Sequence, residues 1–389
     1  MAPMLETNSN PTETEATNTT KVLQRCTNCL MAATRPRITF NDEGVCNACT
    51  WAEEKKKIDW AARQKQLEEV CDRFRGKGDG FDCLVPVSGG KDSSYVAYMM
   101  KHELGMNPLC VHIAPPIPMP LGNENLDRFI QSGYDTVVIH PNPVLTRKIG
   151  RLTLEKYGQP LMSWMTNVQV AIFKTALAYN IPLIMFGEEG ETEYGGTTKL
   201  KETPYYDFED SLKIYLSGID PKQYIDLVKS DKELYFWLYP TMEAAKKSEL
   251  AITHFSYFEN WDPYHHYLVA KEKCGLKERD DASHGTYTNF AQTDTFLYDL
   301  HSYLMFLKFG FGRCTADVGI DIRRGALERE QGRHLVSKFD GTYPEQYIEQ
   351  YCEYFGMTKD EINAVFDKFA NKEYLHKVNG QWKLGQETV

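Results

Sequence analysis

Four short apolar runs punctuate the middle of the chain: Phe81 to Val87, Pro108 to Ile113, Thr136 to His140 and Ile181 to Phe186. Each has the length and composition of a buried strand. Between them, apolar residues recur at helical spacing over Asp92 to His102, Glu124 to Ser132, Pro143 to Tyr157 and Trp164 to Tyr179. Val96, Met99 and Met100 mark the inner side of the first of these. Strands alternating with helices predict an α/β fold with a parallel sheet covered on both faces. Ligands of such sheets gather at the carboxyl ends of the strands. Upstream, Trp51 to Arg75 sets Ile58, Trp60, Leu67, Val70 and Phe74 among charged residues, an amphipathic helical pattern. Downstream, Glu243 to Phe255 reads as a helix. Thr315 to Phe369 reads as mostly amphipathic helix with a turn at Gly341 to Pro344. The N-terminal residues, rich in Thr, Asn and Glu, are expected to be disordered.

The turn after the first strand carries the densest chemistry. Ser88, Gly89, Gly90, Lys91, Asp92, Ser93 and Ser94 join strand to helix. Glycine lets backbone amides approach an oxyanion, and the positive end of the helix faces the same point. The serine hydroxyls add donors and Lys91 a charge. Asp92 disfavours bare phosphate, so its natural role is to hold a phosphate-bound magnesium ion. The usual ATPase loop spaces its glycines differently; the alternative is a turn that only joins two elements. Backbone groups of Val111, His112 and Ile113, ending the second strand, are candidates for holding adenine, while the His112 ring reads as structural. The fourth strand is followed by Gly187, Glu188, Glu189, Gly190, Glu191, Thr192, Glu193 and Tyr194. Four glutamates in one loop raise one another's pKa or share a cation. Glu188 or Glu189 is placed to join Asp92 on magnesium, and the others to move protons; the alternative is a solvated acidic loop.

Composition narrows the class. The chain has 389 residues, 42% of them hydrophobic, and a net charge of −10, which disfavours a broad nucleic-acid footprint. No apolar run reaches the roughly 20 residues that span a bilayer, and no signal pattern opens the chain, so a cytoplasmic protein is expected. Of ten cysteines, Cys26, Cys29, Cys46 and Cys49 form two Cys-x-x-Cys pairs. That spacing predicts a zinc ribbon with a closed, structural shell; an iron–sulfur cluster or redox pairs would use the same thiols. Aromatic residues crowd Lys199 to Pro240, an expected insertion or lid. His265 and His266 are adjacent and do not face one metal from a helix. Lys308 and Arg313, beside glycines, suit phosphate or a sugar carboxylate, whereas Asp317, Asp321, Arg323 and Arg324 read as ion pairs. The expected division is a tail (1–22), a zinc ribbon (23–60), the sheet domain (61–240) and a mainly helical C-terminal domain (241–389).

Ser88-Gly89-Gly90-Lys91-Asp92-Ser93 resembles the pyrophosphate loop of the PP-loop ATP pyrophosphatases, which implies an adenine nucleotide α-hydrolase-like domain. Several further motifs lie in order along residues 23 to 370. They are the double Cys-x-x-Cys ribbon, Phe186-Gly187-Glu188 with Glu193-Tyr194-Gly195-Gly196, Trp261-Asp262-Pro263, Gly285-Thr286-Tyr287 and Lys308-Phe309-Gly310-Phe311-Gly312-Arg313. Together they resemble the N-acetyl sugar amidotransferases (WbpG/PseA-like) of bacterial surface-polysaccharide biosynthesis. Where many of that family read Trp-Gly-Glu-Asn-Pro, this chain reads Phe186-Gly187-Glu188-Glu189-Gly190. The resemblance implies conversion of an acetamido group on a sugar to an acetamidino group, with ATP, Mg2+ and Zn2+. Lys91, Asp92, Glu188 and Glu193 would be catalytic. Ser88, Gly89, Gly90, Ser93, Ser94, Val111, His112, Ile113 and Gly187 would bind nucleotide, and Tyr194, Lys308 and Arg313 the acetamido sugar. No cysteine lies in a glutaminase-type Gly-x-Cys-x-Gly elbow, so a separate glutaminase subunit would supply ammonia. A tRNA-modifying PP-loop enzyme of the thiolase type would need a basic surface and a reactive cysteine. A non-catalytic ATP-binding adaptor would bind ATP without turnover.

Overall fold

The computed structural model describes residues 20–205, 216–240 and 249–388. Most of the expected tail, the aromatics Tyr206, Phe208 and Tyr215, and the first part of the helix expected at Glu243 to Phe255 therefore lie outside the described residues.

The chain opens with a ribbon of isolated bridges, Arg25 to Ala32 and Phe40 to Cys46. The long amphipathic stretch is divided into α1 (Asn47–Lys55) and α2 (Trp60–Phe74). Asp59 makes the break, its side chain accepting from the Ala62 amide at 3.0 Å as the N-cap of α2. Then follow β1 (Cys83–Pro86), α3 (Lys91–Tyr98, extended by a π-turn over Met99–Glu103), β2 (Pro108–Ile113), α4 (Pro120–Gln131), β3 (Thr136–Ile139), α5 (Pro143–Tyr157), α6 (Met162–Ala178), β4 (Leu183–Phe186) and the short α7 (Gly190–Tyr194).

A fifth strand, β5 (Ala251–His254), lies where a helix was expected. It pairs parallel with β4, Leu183 opposite Ala251 through Phe186 opposite His254. Ile252 and Thr253 are β-branched and buried, which suits an extended chain against the sheet. The sheet order is β3-β2-β1-β4-β5, parallel throughout. The sheet thus runs past residue 240 to residue 254.

Side chains alternate between its faces. Leu84, Leu109, Val111, Ile113 and Ile184 pack with Trp164, Ala171 and Ile172 of α6. Cys83, Val85, Cys110, Leu183 and Met185 pack with Val96 and Met100 beside α3 and with Phe129 of α4. Each fully buried Leu, Ile or Val contributes about 1.5–3 kcal/mol, so both faces hold the sheet, as a doubly covered fold requires.

The remaining elements are α8 (Pro263–Cys274), α9 (Leu297–Phe309), α10 (Arg313–Arg323), α11 (Arg329–Phe339), α12 (Ile348–Phe355), α13 (Lys359–Phe369) and the antiparallel hairpin β6 (Leu375–Val378) with β7 (Gln381–Leu384). Leu297, Leu300, Leu304 and Leu307 of α9 join the same apolar cluster as the sheet. The helical region therefore shares the sheet's core. The last residues return to the ribbon, where the Leu23 amide donates to Gln386 O and the Thr388 amide to Leu23 O.

Gly122 of α4 sits against the 293–294 segment. A Cβ there would stand 2.6 Å from Asp294 Cα. Gly122→Ala should lower stability by about 1–3 kcal/mol. Gly150→Ala in α5, where the nearest atom is a Phe355 ring carbon at 3.6 Å, should be neutral or stabilising by up to about 1 kcal/mol. Denaturant unfolding of the two variants checks the contrast.

Candidate active site

Between β1 and α3 the backbone turns at Gly89, whose φ is +80°. A Cβ at this position would lie 2.6 Å from the Leu126 amide nitrogen of α4, so only glycine fits. Gly90 is the N-cap of α3, and the leading amides of a helix have no partner within it. The hydroxyls shape the turn: the Gly90 amide donates to Ser88 Oγ at 3.2 Å and the Ser88 amide to Ser93 Oγ at 3.2 Å.

At the first turn of α3, the two carboxylate oxygens of Asp92 have different partners. Oδ2 is paired with Lys91 Nζ, and Oδ1 lies 3.0 Å from Nδ1 of His266 on α8. Burial opposes ionisation of Asp92, but the Lys91 charge and the His266 hydrogen bond prevail and lower its pKa to about 2. Glu188, after β4, has no such cation of its own. Burial first, then the Asp92 charge, raises its pKa to about 7. Two carboxylates facing one cleft, one ionised and the other titrating near neutrality through burial and the charge of the first, form a donor set suited to a hard divalent cation.

Three lobes meet at Tyr194, and the first of them contains both carboxylates. The loop lobe, about 320 Å3, is lined by Ser88, Gly90, Lys91, Asp92, Gly187 and Arg313, among others. The ribbon lobe, about 550 Å3, lies between α1, α7 and α10, with Lys55, Trp60, Trp261 and Arg323 in its wall. The aromatic lobe, about 270 Å3, contains Tyr264, Tyr287 and Phe290. Glu188 borders the loop and ribbon lobes, and Tyr194 borders all three. Arg313 is held by Asp317 at 2.8 Å, and Asp317 accepts from the Thr286 hydroxyl at 2.6 Å. Asp294 also lines the loop lobe. Burial raises its pKa to about 6, which makes it a proton-handling candidate that no motif in the sequence marks.

The glutamates after β4 divide their work. Glu189 is the N-cap of α7, accepting from the Glu191 and Thr192 amides. Glu191 makes a bidentate pair with Arg37 of the ribbon, both contacts 2.7 Å. Glu193 borders the ribbon lobe but is held by Lys55 at 2.7 Å and by Trp51 Nε1 at 2.9 Å. Only Glu188 faces Asp92 across the cleft.

Several expected site residues lie elsewhere. Ser94 is buried under α8 and borders none of the three lobes. Val111, His112 and Ile113 belong to an interior strand. Val111 O accepts from the Val87 amide, His112 Nδ1 lies 3.0 Å from Val87 O, and Ile113 O accepts from Trp164 Nε1. They border none of the three lobes either. Lys308 caps the end of α5, donating to Gly158 O at 2.8 Å. Burial lowers its pKa to about 8, and it too is away from the cleft.

The ribbon's four cysteine sulfurs lie within 4.8 Å of one another. Cys26 and Cys49 are 3.8 Å apart, Cys29 and Cys46 3.5 Å. A tetrahedral ion with metal–sulfur bonds of about 2.3 Å sets its ligands about 3.8 Å apart, so the four thiols fit a single metal ion. A four-iron cluster would hold them further apart.

Residues 284–388 match the family described as "LPS biosynthesis protein WbpG-like, C-terminal domain". The chain carries a WbpG-like C-terminal domain. This domain brings Arg313, Asp317 and Arg323 to the cleft, and over residues 284–388 the match bears out the WbpG-like resemblance. A 90-residue segment is 27% identical to an uncharacterized protein, MJ1599, of Methanocaldococcus jannaschii; it is 23% of this chain and spans only 32% of that relative's length. Among solved structures, a U34-tRNA thiolase, NcsA, from Methanococcus maripaludis with its [4Fe-4S] cluster aligns over 73% of this chain and 88% of that one, at 13% identity and a TM-score of 0.31.

Glu188 supplies a pH test. Its native pKa of about 7 exceeds the ordinary 4.5, so the folded state keeps a proton that the unfolded chain releases. Stability therefore falls as pH rises from about 4.5 to 7. Without divalent cations, Glu188→Gln should be more stable than the wild type above pH 7, by up to roughly 3 kcal/mol, and equal to it below 4.5. Urea titrations at the two pH extremes check this.

Proposed function

We propose that the chain is an ATP-dependent, AMP-forming amidotransferase. It converts an N-acetyl group on a sugar, carried on a nucleotide, to an acetamidino group for bacterial surface polysaccharide. One observation carries this reading: Glu188 and Tyr194 form a boundary shared by the phosphate-loop lobe and a second, larger lobe. A nucleotide in the first would present its α-phosphorus to an acceptor in the second.

An amide carbonyl is a weak electrophile, and its oxygen is a poor leaving group. The acceptor's amide oxygen attacks the α-phosphorus of ATP, the bond to the bridging oxygen breaks, and pyrophosphate leaves. Amides around Gly89 and Gly90 and the Lys91 ammonium stabilise the charge that grows on it. Asp92 and Glu188 would hold a Mg2+ ion, which would neutralise phosphate charge. Ammonia then adds to the imidate carbon, and the C–O bond breaks to release AMP. A carboxyl titrating near neutrality suits transfer of the ammonia proton; Asp294, outside the proposed cation pair, has that property. Glu193 acts by fixing α7. Ammonia comes from a separate glutaminase subunit. Zn2+ fills the four-thiol site. Cys83 and Cys110 are wholly buried in the sheet, which favours this reading over thiolation.

Incubation of the protein with ATP, Mg2+, ammonium and a panel of nucleotide-linked acetamido sugars should yield AMP and pyrophosphate in equal amounts, with an acceptor one mass unit lighter, as oxygen is exchanged for NH. Asp92→Ala should reduce turnover by at least about 100-fold. Ammonium salts should support the reaction, and glutamine alone should not. ADP and phosphate as products, or turnover on glutamine by the isolated chain, would contradict the proposal.

A further inference from the structure

The segment Trp261-Asp262-Pro263 builds a helix start. Asp262 is the N-cap of α8, accepting from the Tyr264 amide at 2.9 Å, and Pro263 occupies the first helical position. Trp261, just before the cap, packs edge-on against His266, one turn in, with ring centroids 4.1 Å apart. This is the arrangement of a hydrophobic staple, with a histidine as the inner member. It carries His266 to α3, where the ring stacks on Tyr95 at 4.1 Å and is 1% exposed.

Both ring nitrogens face carboxylates. Nδ1 lies 3.0 Å from Asp92 Oδ1 and Nε2 lies 3.1 Å from Glu259 Oε1. Glu259 is fixed in turn by the Tyr95 hydroxyl, which donates to its other oxygen at 2.7 Å. His266 is thus clamped at four points: two hydrogen bonds, a stacked ring and an edge contact.

The consequence falls on Asp92. Its neighbour Lys91 already engages Oδ2. With no competing partner at Oδ1, the carboxylate would turn to give both oxygens to that ammonium, leaving little for a cation between Asp92 and Glu188. We propose that His266 is a positioning residue for Asp92: it holds one oxygen on the imidazole ring so that the carboxylate stays open to the divalent cation of a bound nucleotide. The proposal rests on the nucleotide reading above and extends it to a residue 174 positions away in sequence.

Calorimetric titration of the full chain with ATP, once with MgCl2 and once with EDTA, tests it. In the wild type, magnesium should tighten ATP binding. His266→Leu should lose about 10–100-fold of the magnesium-dependent part and keep its affinity in EDTA. His266→Asn, whose amide reaches the Nδ1 position, should recover most of the loss, and His266→Gln, which reaches toward Glu259 instead, should not. If His266→Leu fails to fold, the Asn and Gln variants make the same comparison. Retention of the full magnesium effect in His266→Gln, or equal losses with and without magnesium in every variant, would overturn the proposal. A wild-type protein that binds no ATP would overturn the nucleotide reading and the role of His266 with it.

Discussion

The cleft depends on the close approach of one backbone turn to one helix. Gly89 lies so near Leu126 of α4 that no side chain fits between them. That contact fixes where α3 begins, and so where Lys91 and Asp92 project. Asp92 is then held between two partners from different elements, the adjacent Lys91 ammonium and the His266 ring of α8. Opposite charges within hydrogen-bond reach keep it ionised in a site where burial alone would neutralise it. Glu188 is pushed the other way, by burial first and then by the Asp92 charge. Two carboxylates with their pKa values driven apart in one cleft form a donor set suited to a hard cation.

The ribbon is part of this cleft. Helix α1 begins beside Cys46, contains Cys49 and ends at Lys55, which grips Glu193. Arg37 holds Glu191, Asn47 donates to Gly196 O at 2.8 Å, and Arg323 from the WbpG-like domain donates to Glu193 O at 3.1 Å. The loop after β4 is thus tied from two sides, by the four-cysteine ribbon and by α10. Glu188 and Tyr194 flank that loop, so the shape of the ribbon lobe depends on the ribbon's fold.

Much of this architecture could be read from the residues. Four strands, the Gly89–Gly90 turn and the four-thiol set follow from local patterns, because period, glycine placement and cysteine spacing are local properties. The fifth strand was missed because its four residues, Ala251 to His254, adjoin a helical pattern and become a strand only by pairing with β4. Lys308 looked like a phosphate ligand because it stands beside Gly310 and Arg313, yet on α9 its side chain turns to α5 while Arg313, on α10, faces the cleft. The division of labour among Glu188, Glu189, Glu191 and Glu193 depends on partners such as Arg37 and Lys55, far away in sequence. The role of His266 was hidden for the same reason: beside His265 it suggested only an unlikely metal pair, and nothing near it points to Asp92.

The central claim is that the turn at Gly89 and Gly90 grips the two phosphates that depart. A crystal structure with ATP and Mg2+ bound tests it most directly. The account predicts the β- and γ-phosphates against the amides of Gly89 to Ser93, with the α-phosphate directed to the boundary formed by Glu188 and Tyr194. A triphosphate bound in the ribbon or aromatic lobe, with the turn empty, would contradict it.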